Sequence, residues 1–361
     1  MKILITGVGG PTPRSFAIAL KKYAPNKNYQ LYATDINPLS IGLYQKDLFD
    51  YSFVVPPANS PNYWEVMEKL ILENNIEIAI ILPELEIVEW CKRKETNELP
   101  CKVLLPDLSI ANLLVDKSKM TEVLKDSDIV PPSFSFHRSH QNLAEIFEAL
   151  GADFWVRSTS GTSGLGSLKI KDIDSLKNWI QINPNVNEFI ASKFLPGRNL
   201  ACKMLYYNGK LIRSACAERV NYIMAKVSPS GITGNTSFGR LLNEPKLVSE
   251  AIRTMDFLFQ YTGAKRHGFY TVDYKEDENG KPYITEINVR HVAFTQCFAA
   301  GGANFAFDTI QLLNEESDFD LNFKMYEFEK DLIFLRDVDS LPILMKETDL
   351  INLFSKVETN P

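Results

Sequence analysis

The sequence predicts an α/β protein in which a parallel sheet is followed by strands that pair antiparallel. Residues 1–105 alternate between strand-like and helix-like segments, and this alternation is typical of a parallel sheet. Residues 153–172 contain two strand-like runs joined by a glycine-rich loop. Residues 267–291 contain two β-rich runs on either side of Asn279-Gly280, a strong hairpin signal. The chain of 361 residues is long enough for two or three packed units.

The amino-terminal region is expected to contain three strands and two helices. The segments KILITGV, QLYATDI and IEIAIILP have the character of strands, whereas PRSFAIALKKY and YWEVMEKLILENN have that of helices. Open α/β sheets bind ligands at the carboxyl ends of their strands. Glu84 and Glu86 follow the third strand, so they are either contacts for a co-substrate or exposed loop acids.

The same region partly imitates a dinucleotide-binding fingerprint. Gly7, Gly9 and Asp35 fall at suitable positions. Thr12 stands where the third glycine of the fingerprint belongs, however, and two prolines interrupt the turn. An NAD-dependent oxidoreductase is therefore a rival interpretation of the chain.

The second informative segment is DFWVRSTSGTSGLGSLKIKD, residues 153–172. A loop of Ser, Thr and Gly has little side-chain bulk and many free N–H groups, so it can fold over an anion. Arg157 at its entrance would complement a polyphosphate. The loop lacks the lysine of a Walker A motif and lies between two strands. It is either a phosphate-binding loop or a flexible linker.

The third informative segment, residues 267–291, predicts two acids facing each other on a hairpin. A type I′ turn at Asn279-Gly280 would place Asp273 opposite Glu286. Side chains that are directly opposed on antiparallel strands lie about 4.5–5.5 Å apart. Asn288 and Arg290 follow Glu286 on the same face because side chains alternate along a strand. A slip of one residue in the register would break this arrangement.

These residue types suit a divalent cation and a phosphate. Two carboxylates and an amide oxygen form an all-oxygen set, and Mg²⁺ binds through one or two carboxylates with phosphates and water completing its shell. The guanidinium of Arg290 can meet a phosphate oxygen as a forked donor. The alternative is an ordinary solvated strand face.

Composition excludes several other classes of protein. A net charge of −6 argues against general nucleic-acid binding. The five scattered cysteines suit neither a zinc site nor a disulfide framework, which fits the cytoplasm. No signal-peptide pattern or membrane span is visible. His291 alternates away from Glu286, so we expect it to be structural rather than catalytic.

Taken in order, these segments resemble the ATP-grasp superfamily. More narrowly, the chain looks like single-unit proteins similar to one synthetase half of the carbamoyl-phosphate synthase large chain. The resemblance is carried by MKILITGVGG, DKSKMTEVLKDSDIVPPSF, FWVRSTSGTSGLGSLKI, EFIASKFLPGRNLACKML and, most specifically, GFYTVDY…GKPYITEINVRH. It implies a Rossmann-like pre-ATP-grasp domain (1–105) and two ATP-grasp lobes (106–190 and 191–320). The remaining tail (321–361) contains the amphipathic segment FLRDVDSLPILM, which indicates packing on the core or a contact in a homodimer.

The resemblance also implies roles for individual residues. Asp273, Glu286 and Asn288 match the ligands of Mg²⁺ (or Mn²⁺), with Glu286 bridging two ions. Arg290 and Arg157 match catalytic arginines, and Arg290 would face the γ-phosphate and an acyl phosphate. Asn199 stands where relatives usually have an acid on the ribose. The residues matching the ATP site are Lys117, Arg157, Ser160, Gly161, Thr162, Ser163, Gly164, Gly166, Lys193, Phe194, Leu195 and Asn199.

The implied activity is ATP-dependent ligation of two small molecules. A carboxylate would attack the γ-phosphoryl group to give an acyl phosphate and ADP, and an amine, ammonia or a thiol would then displace phosphate. Arg219 and Arg240, in the segment 218–240, are candidates to clamp the carboxylate. The rival from another class is an ATP-binding regulatory or scaffold protein without ligation.

Overall fold

The structure is a computed structural model and describes residues 1–25, 28–159, 167–228, 231–316, 318–337 and 356–358. Three sheets organise these residues. The first is mainly parallel and the other two are mainly antiparallel, as expected for an α/β protein of this kind. None of the helices within these ranges is both long and apolar enough to cross a membrane.

The first sheet confirms the parallel sheet predicted from residues 1–105. Its central strand β1 lies between β2 and β4, and β3 and β5 lie further out, all parallel. The strands are β1 (Lys2–Thr6), β2 (Gln30–Asp35), β3 (Tyr51–Val54), β4 (Ile78–Ile80) and β5 (Lys102–Val103). The helices are α1 (Pro11–Tyr23), α2 (Tyr63–Asn74), α3 (Glu84–Glu95) and α4 (Leu108–Val115), with a 3₁₀ turn at Ile41–Tyr44.

Helix α1 begins earlier than its sequence pattern suggests. Pro11 occupies the first turn of the helix, where a missing N–H costs nothing and a fixed φ favours the helix. The two prolines therefore begin the helix instead of merely interrupting a turn.

The second sheet has four strands in the order β6-β9-β7-β8. Buried Phe154, Phe189 and Trp179 are part of its core. Strand β9 runs to residue 193, so the expected boundary at 190/191 falls inside it. The elements are β6 (Ser133–His137), β7 (Phe154–Ser158), β8 (Leu168–Ile170), β9 (Glu188–Lys193), α6 (Ala144–Leu150) and α7 (Ile173–Ile182). Helix α5 (Lys117–Leu124) precedes them, and its buried apolar side chains belong to the core of the first and third sheets.

The third sheet carries the predicted hairpin at one edge, in the order β14-β13-β10-β11-β12-β16, with β15 beside β11. Its strands are β10 (Asn199–Tyr207), β11 (Lys210–Tyr222), β12 (Thr236–Leu242), β13 (Gly268–Glu276), β14 (Pro282–Asn288), β15 (Lys324–Met325) and β16 (Ile333–Leu335). Its helices are α8 (Pro245–Thr262), α9 (Thr295–Ala300) and α10 (Phe305–Leu313), with a 3₁₀ turn at Ala225–Val227.

The carboxyl-terminal segment 321–361 reaches two sheets. Strands β15 and β16 pair with the third sheet, and β17 (Lys356–Glu358) pairs antiparallel with β3 of the first sheet. Its role in a homodimer stays a prediction.

The first and third sheets share one hydrophobic core. Trp90 of α3, Ile110 of α4 and Tyr270 and Ile287 of the hairpin belong to the same buried cluster, and each is nearly inaccessible to solvent. Burial of such side chains contributes about 1.5–3 kcal/mol each. This packing fixes the hairpin relative to the carboxyl ends of β1 and β4.

Hairpin β13–β14 places Asp273 opposite Glu286, as predicted. The turn, however, is not the predicted type I′ turn. Gly280 has φ of 78°, but Asn279 does not share the left-handed conformation that a type I′ turn requires of both residues. The N–H of Asp277 donates to the carbonyl of Lys281 (3.0 Å), so the loop contains three residues, 278–280.

A bulge compensates for the longer loop. Near the turn Tyr274 pairs with Ile284, one residue out of the predicted register, and the register shifts between Asp273 and Tyr274. Thr285 is the extra residue of β14, and such a bulge restores the pairing beyond it. The longer loop shifts the register by one residue and the bulge shifts it back, so Asp273 still lies opposite Glu286.

Candidate active site

Two carboxylates and an amide meet on the face of the hairpin that lines a cavity. Asn288 Nδ2 donates to Asp273 Oδ2 (3.2 Å), and Glu286 lies directly across from Asp273. Asp273 Oδ1 is buried and has no hydrogen-bond partner among the described residues. A buried carboxylate oxygen without a donor is costly, so this position fits a cation.

Basic side chains surround these acids, each from a different element. Lys117 Nζ lies 3.3 Å from Glu286 Oε1, and Arg219 Nη1 lies 3.4 Å from Asp273 Oδ2. Arg157 Nη1 donates to the carbonyl of Thr285 (3.0 Å). The structure thus brings Lys117 and Arg157, which the resemblance assigns to the nucleotide site, next to the hairpin.

Arg290 follows β14 and turns toward the first sheet. Its Nη2 donates to Glu84 Oε1 (3.0 Å) and its Nη1 donates to the carbonyl of His291 (3.1 Å). Glu84 begins α3, just after β4. Of the two acids predicted to follow this strand, Glu84 therefore reaches the site.

The charges around the two opposed acids shift their pKa values in opposite directions. Burial raises the pKa of Asp273 to about 6, and the nearby Glu286 adds to the increase against the opposing effect of Arg219. Burial alone would raise the pKa of Glu286 as well. The charges of Lys117, Arg157 and Arg290 outweigh it, and the pKa of Glu286 falls below its usual value. Glu286 is thus held as a carboxylate.

Two cavities meet at this cluster. The lobe cavity, about 450 Å³, lies between the second and third sheets, and the domain cavity, about 460 Å³, lies between the first domain and the third sheet. Asp273, Glu286 and Arg219 line both, whereas Asn288 and Arg290 line the domain cavity. A molecule in one cavity would therefore meet a molecule in the other at the two acids.

The lobe cavity is lined by those residues predicted to hold the nucleotide that the structure describes. Phe194 and Leu195 follow β9 at its wall. The N–H of Lys193 already donates to the carbonyl of Pro132 (2.9 Å), so this donor is not available to the adenine base of a nucleotide. The predicted residues lining the lobe cavity are Lys117, Arg157, Lys193, Phe194, Leu195 and Asn199.

Asn199 uses its amide nitrogen within the protein. Its Nδ2 donates weakly to the carbonyl of Arg219 (3.5 Å). The side chain still lines the lobe cavity, and its oxygen can accept a hydrogen bond from a hydroxyl. A contact between Asn199 and a ribose therefore stays a prediction.

The centre of the glycine-rich loop lies outside the described residues. This applies to Ser160, Gly161, Thr162, Ser163, Gly164 and Gly166, whose predicted role stays a prediction. Ser158 and Ser167, on either side of the loop, both line the lobe cavity. The two ends of the loop therefore meet this cavity.

Three other candidates have structural roles. Glu86 is buried rather than exposed in a loop, and it accepts a hydrogen bond from Tyr63. Arg240 forms an ion pair with Glu218 (2.7 Å) and lines neither cavity. His291 is buried against the ring of Phe269, with centroids 3.7 Å apart, which supports its structural assignment.

Asp35, which suggested a dinucleotide site, holds a loop together. Its Oδ2 accepts from the N–H of Gly9 (2.7 Å), and its Oδ1 accepts from Ser40 Oγ (2.8 Å) and the N–H of Asn37 (2.9 Å). Both carboxylate oxygens are occupied, so Asp35 is poorly placed to bind a ribose.

A larger groove, about 1020 Å³, lies at the carboxyl end of α8. Two of its cations are already neutralised, since Lys94 pairs with Asp107 (2.9 Å) and Arg266 pairs with Asp256 (2.8 Å).

In the described part of the chain, no three His, Cys, Asp or Glu side chains converge as a metal site. A cation at Asp273 and Glu286 would therefore take further ligands from Asn288, phosphate or water.

Comparison with solved structures identifies the fold. The chain is similar to N5-carboxyaminoimidazole synthetase from Staphylococcus aureus complexed with ADP (18% identity, 92% of this chain and 81% of that chain, TM-score 0.66). It is also similar to L-amino acid ligase from Bacillus licheniformis (15% identity, 90% and 77%, TM-score 0.62).

A third similar structure is the biotin carboxylase domain dimer of Hydrogenobacter thermophilus 2-oxoglutarate carboxylase, in complex with MgADP, ADP and bicarbonate. Its identity is 15%, the coverage is 92% of this chain and 72% of that chain, and the TM-score is 0.64. No family model and no curated protein matches the sequence. The solved structures show that this chain has the ATP-grasp fold. The narrower likeness to carbamoyl-phosphate synthase stays a prediction.

Proposed function

We propose that this protein is an ADP-forming ligase that activates a small carboxylate with ATP and joins it to an amine or ammonia. The observation that carries the proposal is the position of Asp273, Glu286 and Asn288 where the lobe cavity and the domain cavity meet. ATP would occupy the lobe cavity, with its γ-phosphate at the acids. The carboxylate would enter from the domain cavity.

Each residue of the cluster has a role in this proposal. Lys117 and Arg157 bind the phosphates of ATP, and Arg290 binds the phosphoryl group being transferred. Arg219, which faces the domain cavity and is largely buried, orients the carboxylate. Phosphoryl transfer needs mainly alignment and charge neutralisation, which these cations supply.

Asp273, Glu286 and Asn288 would hold Mg²⁺, and Glu286 would bridge two ions. The buried Asp273 oxygen without a donor supports this assignment. When bound, the metal supplies positive charge to the phosphate oxygens. Mn²⁺ has the same preference for oxygen ligands.

The reaction proceeds in two steps. A carboxylate oxygen attacks the γ-phosphorus, the bond to the bridging oxygen breaks, and ADP leaves with the electron pair. The neutral amine then attacks the acyl carbon. A C–N bond forms, the C–O bond to phosphate breaks, and the amine loses its extra proton to solvent. The acyl phosphate must be kept from water.

The test is ADP release from Mg·ATP with pooled carboxylates, each pool with and without pooled amino acids and ammonium. We expect ADP release that requires both a carboxylate and an amine, and no release by the Glu286→Gln variant. Release that needs no carboxylate, or binding of Mg·ATP without release in any pool, would contradict the proposal. The latter result would favour an ATP-binding regulatory protein.

A further inference from the structure

The ion pair of Glu84 with Arg290 joins two parts of the protein that are 206 residues apart in sequence. The carboxylate comes from the first domain and the guanidinium from the end of the hairpin. Both side chains are about one-fifth exposed, at 22% and 18%. Both residues line the domain cavity, so a molecule entering the cavity can compete for either partner.

Glu84 is distinct among the acids of this cavity. The carboxylates lining its described part are Glu84, Asp273 and Glu286. Asp273 and Glu286 face each other on the hairpin and suit a cation with phosphate. Glu84 stands opposite, beside Leu82, Pro83 and Leu85. It is thus the carboxylate that is free of the proposed metal site.

Binding of a phosphoryl group would change the partner of Arg290. A dianionic phosphoryl group attracts a guanidinium more strongly than a single carboxylate does, and it also offers forked hydrogen bonds. If Arg290 turned to that group, Glu84 would lose its counter-charge at a position where its side chain is only 22% exposed. An isolated, partly buried carboxylate is costly, so a new cation would be favoured beside it.

We propose that Glu84 binds the ammonium group of the nucleophile once Arg290 has turned to the phosphoryl group. This inference rests on the proposed function and deepens it. It assigns the nucleophile to the primary amines rather than to the thiols. The amine enters as an ammonium ion and loses one proton to solvent before its neutral nitrogen attacks the acyl carbon. A thiol carries no positive charge and would leave Glu84 without a partner. Glu84 is therefore a specificity-determining residue for the second substrate.

The test compares a charged nucleophile with an uncharged one. Hydroxylamine is uncharged at neutral pH and traps acyl phosphates as hydroxamates. The carboxylate pool and Mg·ATP are supplied with pooled amino acids, hydroxylamine or pooled thiols, and initial rates are measured over a range of nucleophile concentrations. The Glu84→Gln variant is compared with wild type and with Glu95→Gln, which removes the same charge at the exposed far end of α3.

We expect Glu84→Gln to raise KM for the amino acids and to lower the ratio of amino-acid to hydroxylamine reaction by about tenfold or more. That is the scale of losing one hydrogen bond to a charged group. Glu95→Gln should leave the ratio unchanged. Thermal unfolding checks that each variant is folded.

Equal losses with both nucleophiles would show that Glu84 only positions Arg290, and would overturn the inference. An unchanged ratio without any loss, or ADP release with pooled thiols but not amines, would overturn it as well. If wild-type protein gave neither ADP nor hydroxamate with any carboxylate, the proposed function would fail and the inference with it.

Discussion

Lys117 Nζ lies 3.3 Å from Glu286 Oε1, although Lys117 begins helix α5 and Glu286 lies on strand β14, far apart in the sequence. Both residues line the lobe cavity, and their side chains are 16% and 31% exposed. Without ligand, Lys117 neutralises the acid proposed to bridge the metal ions. With Mg·ATP, the metal would neutralise the acid, and Lys117 would turn to the phosphates.

Replacing Lys117 by Gln should weaken binding of Mg·ATP by about ten- to a hundredfold, since one charged hydrogen bond contributes about 1.5–3 kcal/mol. Calorimetric titration with a non-hydrolysable ATP analogue and Mg²⁺ measures the effect. Lys119→Gln is the control because Lys119 lies on the same helix but is 70% exposed. Equal affinity for both variants would remove Lys117 from the nucleotide site.

Replacing Glu286 by Gln should abolish turnover by more than about a thousandfold. A lost bridging ligand removes several kcal/mol of charge stabilisation, and each 1.36 kcal/mol is a factor of ten in rate. Steady-state ADP release measures the loss once an active substrate pair is found. Glu73→Gln, an exposed acid on α2, serves as the control. A folded Glu286→Gln protein with substantial activity would disprove the metal assignment.

Replacing Arg290 by Lys should lower kcat by about tenfold or more, although the charge is kept. Arg290 can bind a phosphoryl group with the planar fork of its guanidinium after it leaves Glu84, and the point charge of a lysine cannot reproduce that fork. Separate measurement of kcat and KM for ATP tests this. Arg266→Lys, at a half-exposed ion pair with Asp256, should have no effect. A kcat close to that of wild type would exclude Arg290 from phosphoryl transfer.

The sequence predicts the site best where neighbours along one hairpin supply it. The alternation of side chains along a strand is enough to put Glu286 and Asn288 on one face. Asp273 lies opposite Glu286 because the pairing beyond the bulge has the predicted register. The details of the turn do not follow, because a loop one residue longer and a bulge at Thr285 give the same final pairing. Local patterns therefore predicted the pair of acids but not the path of the chain between them.

Contacts between distant elements are beyond such patterns. Arg219 lies on β11 and Asp273 on β13, and the two strands flank β10. Their contact depends on strand order. Glu84 meets Arg290 only because the first domain packs on the hairpin through a shared core. Asp35 is a case in which a local pattern misleads. Its position in the sequence imitates a cofactor contact, but its two carboxylate oxygens accept hydrogen bonds from a loop of the protein.

Lys203 is a buried lysine whose side chain lies in an apolar environment behind the site. It is fully buried, its Nζ donates to Thr295 Oγ1 (2.8 Å), and four phenylalanine rings lie 4.6–5.8 Å from the nitrogen. Burial lowers the pKa of Lys203 from 10.5 to about 7. Nearby Cys297 and Asp273 oppose this shift only in part.

Replacing Lys203 by Met should therefore change how stability depends on pH. Between pH 7 and 10.5 the unfolded chain keeps the lysine proton while the folded protein releases it, so rising pH stabilises wild type. Over that window the free energy of unfolding of wild type should gain on that of Lys203→Met by up to about 1.4 kcal/mol per pH unit. Below pH 7 the folded and unfolded states of wild type both keep the lysine proton, so the difference in the free energy of unfolding between wild type and Lys203→Met should be constant. In that range Lys203→Met should be at its most stable relative to wild type. Urea unfolding at several pH values measures it, with Lys210→Met, an exposed change on β11, as the control. Parallel curves for wild type and Lys203→Met would show that Lys203 keeps its proton in the folded protein.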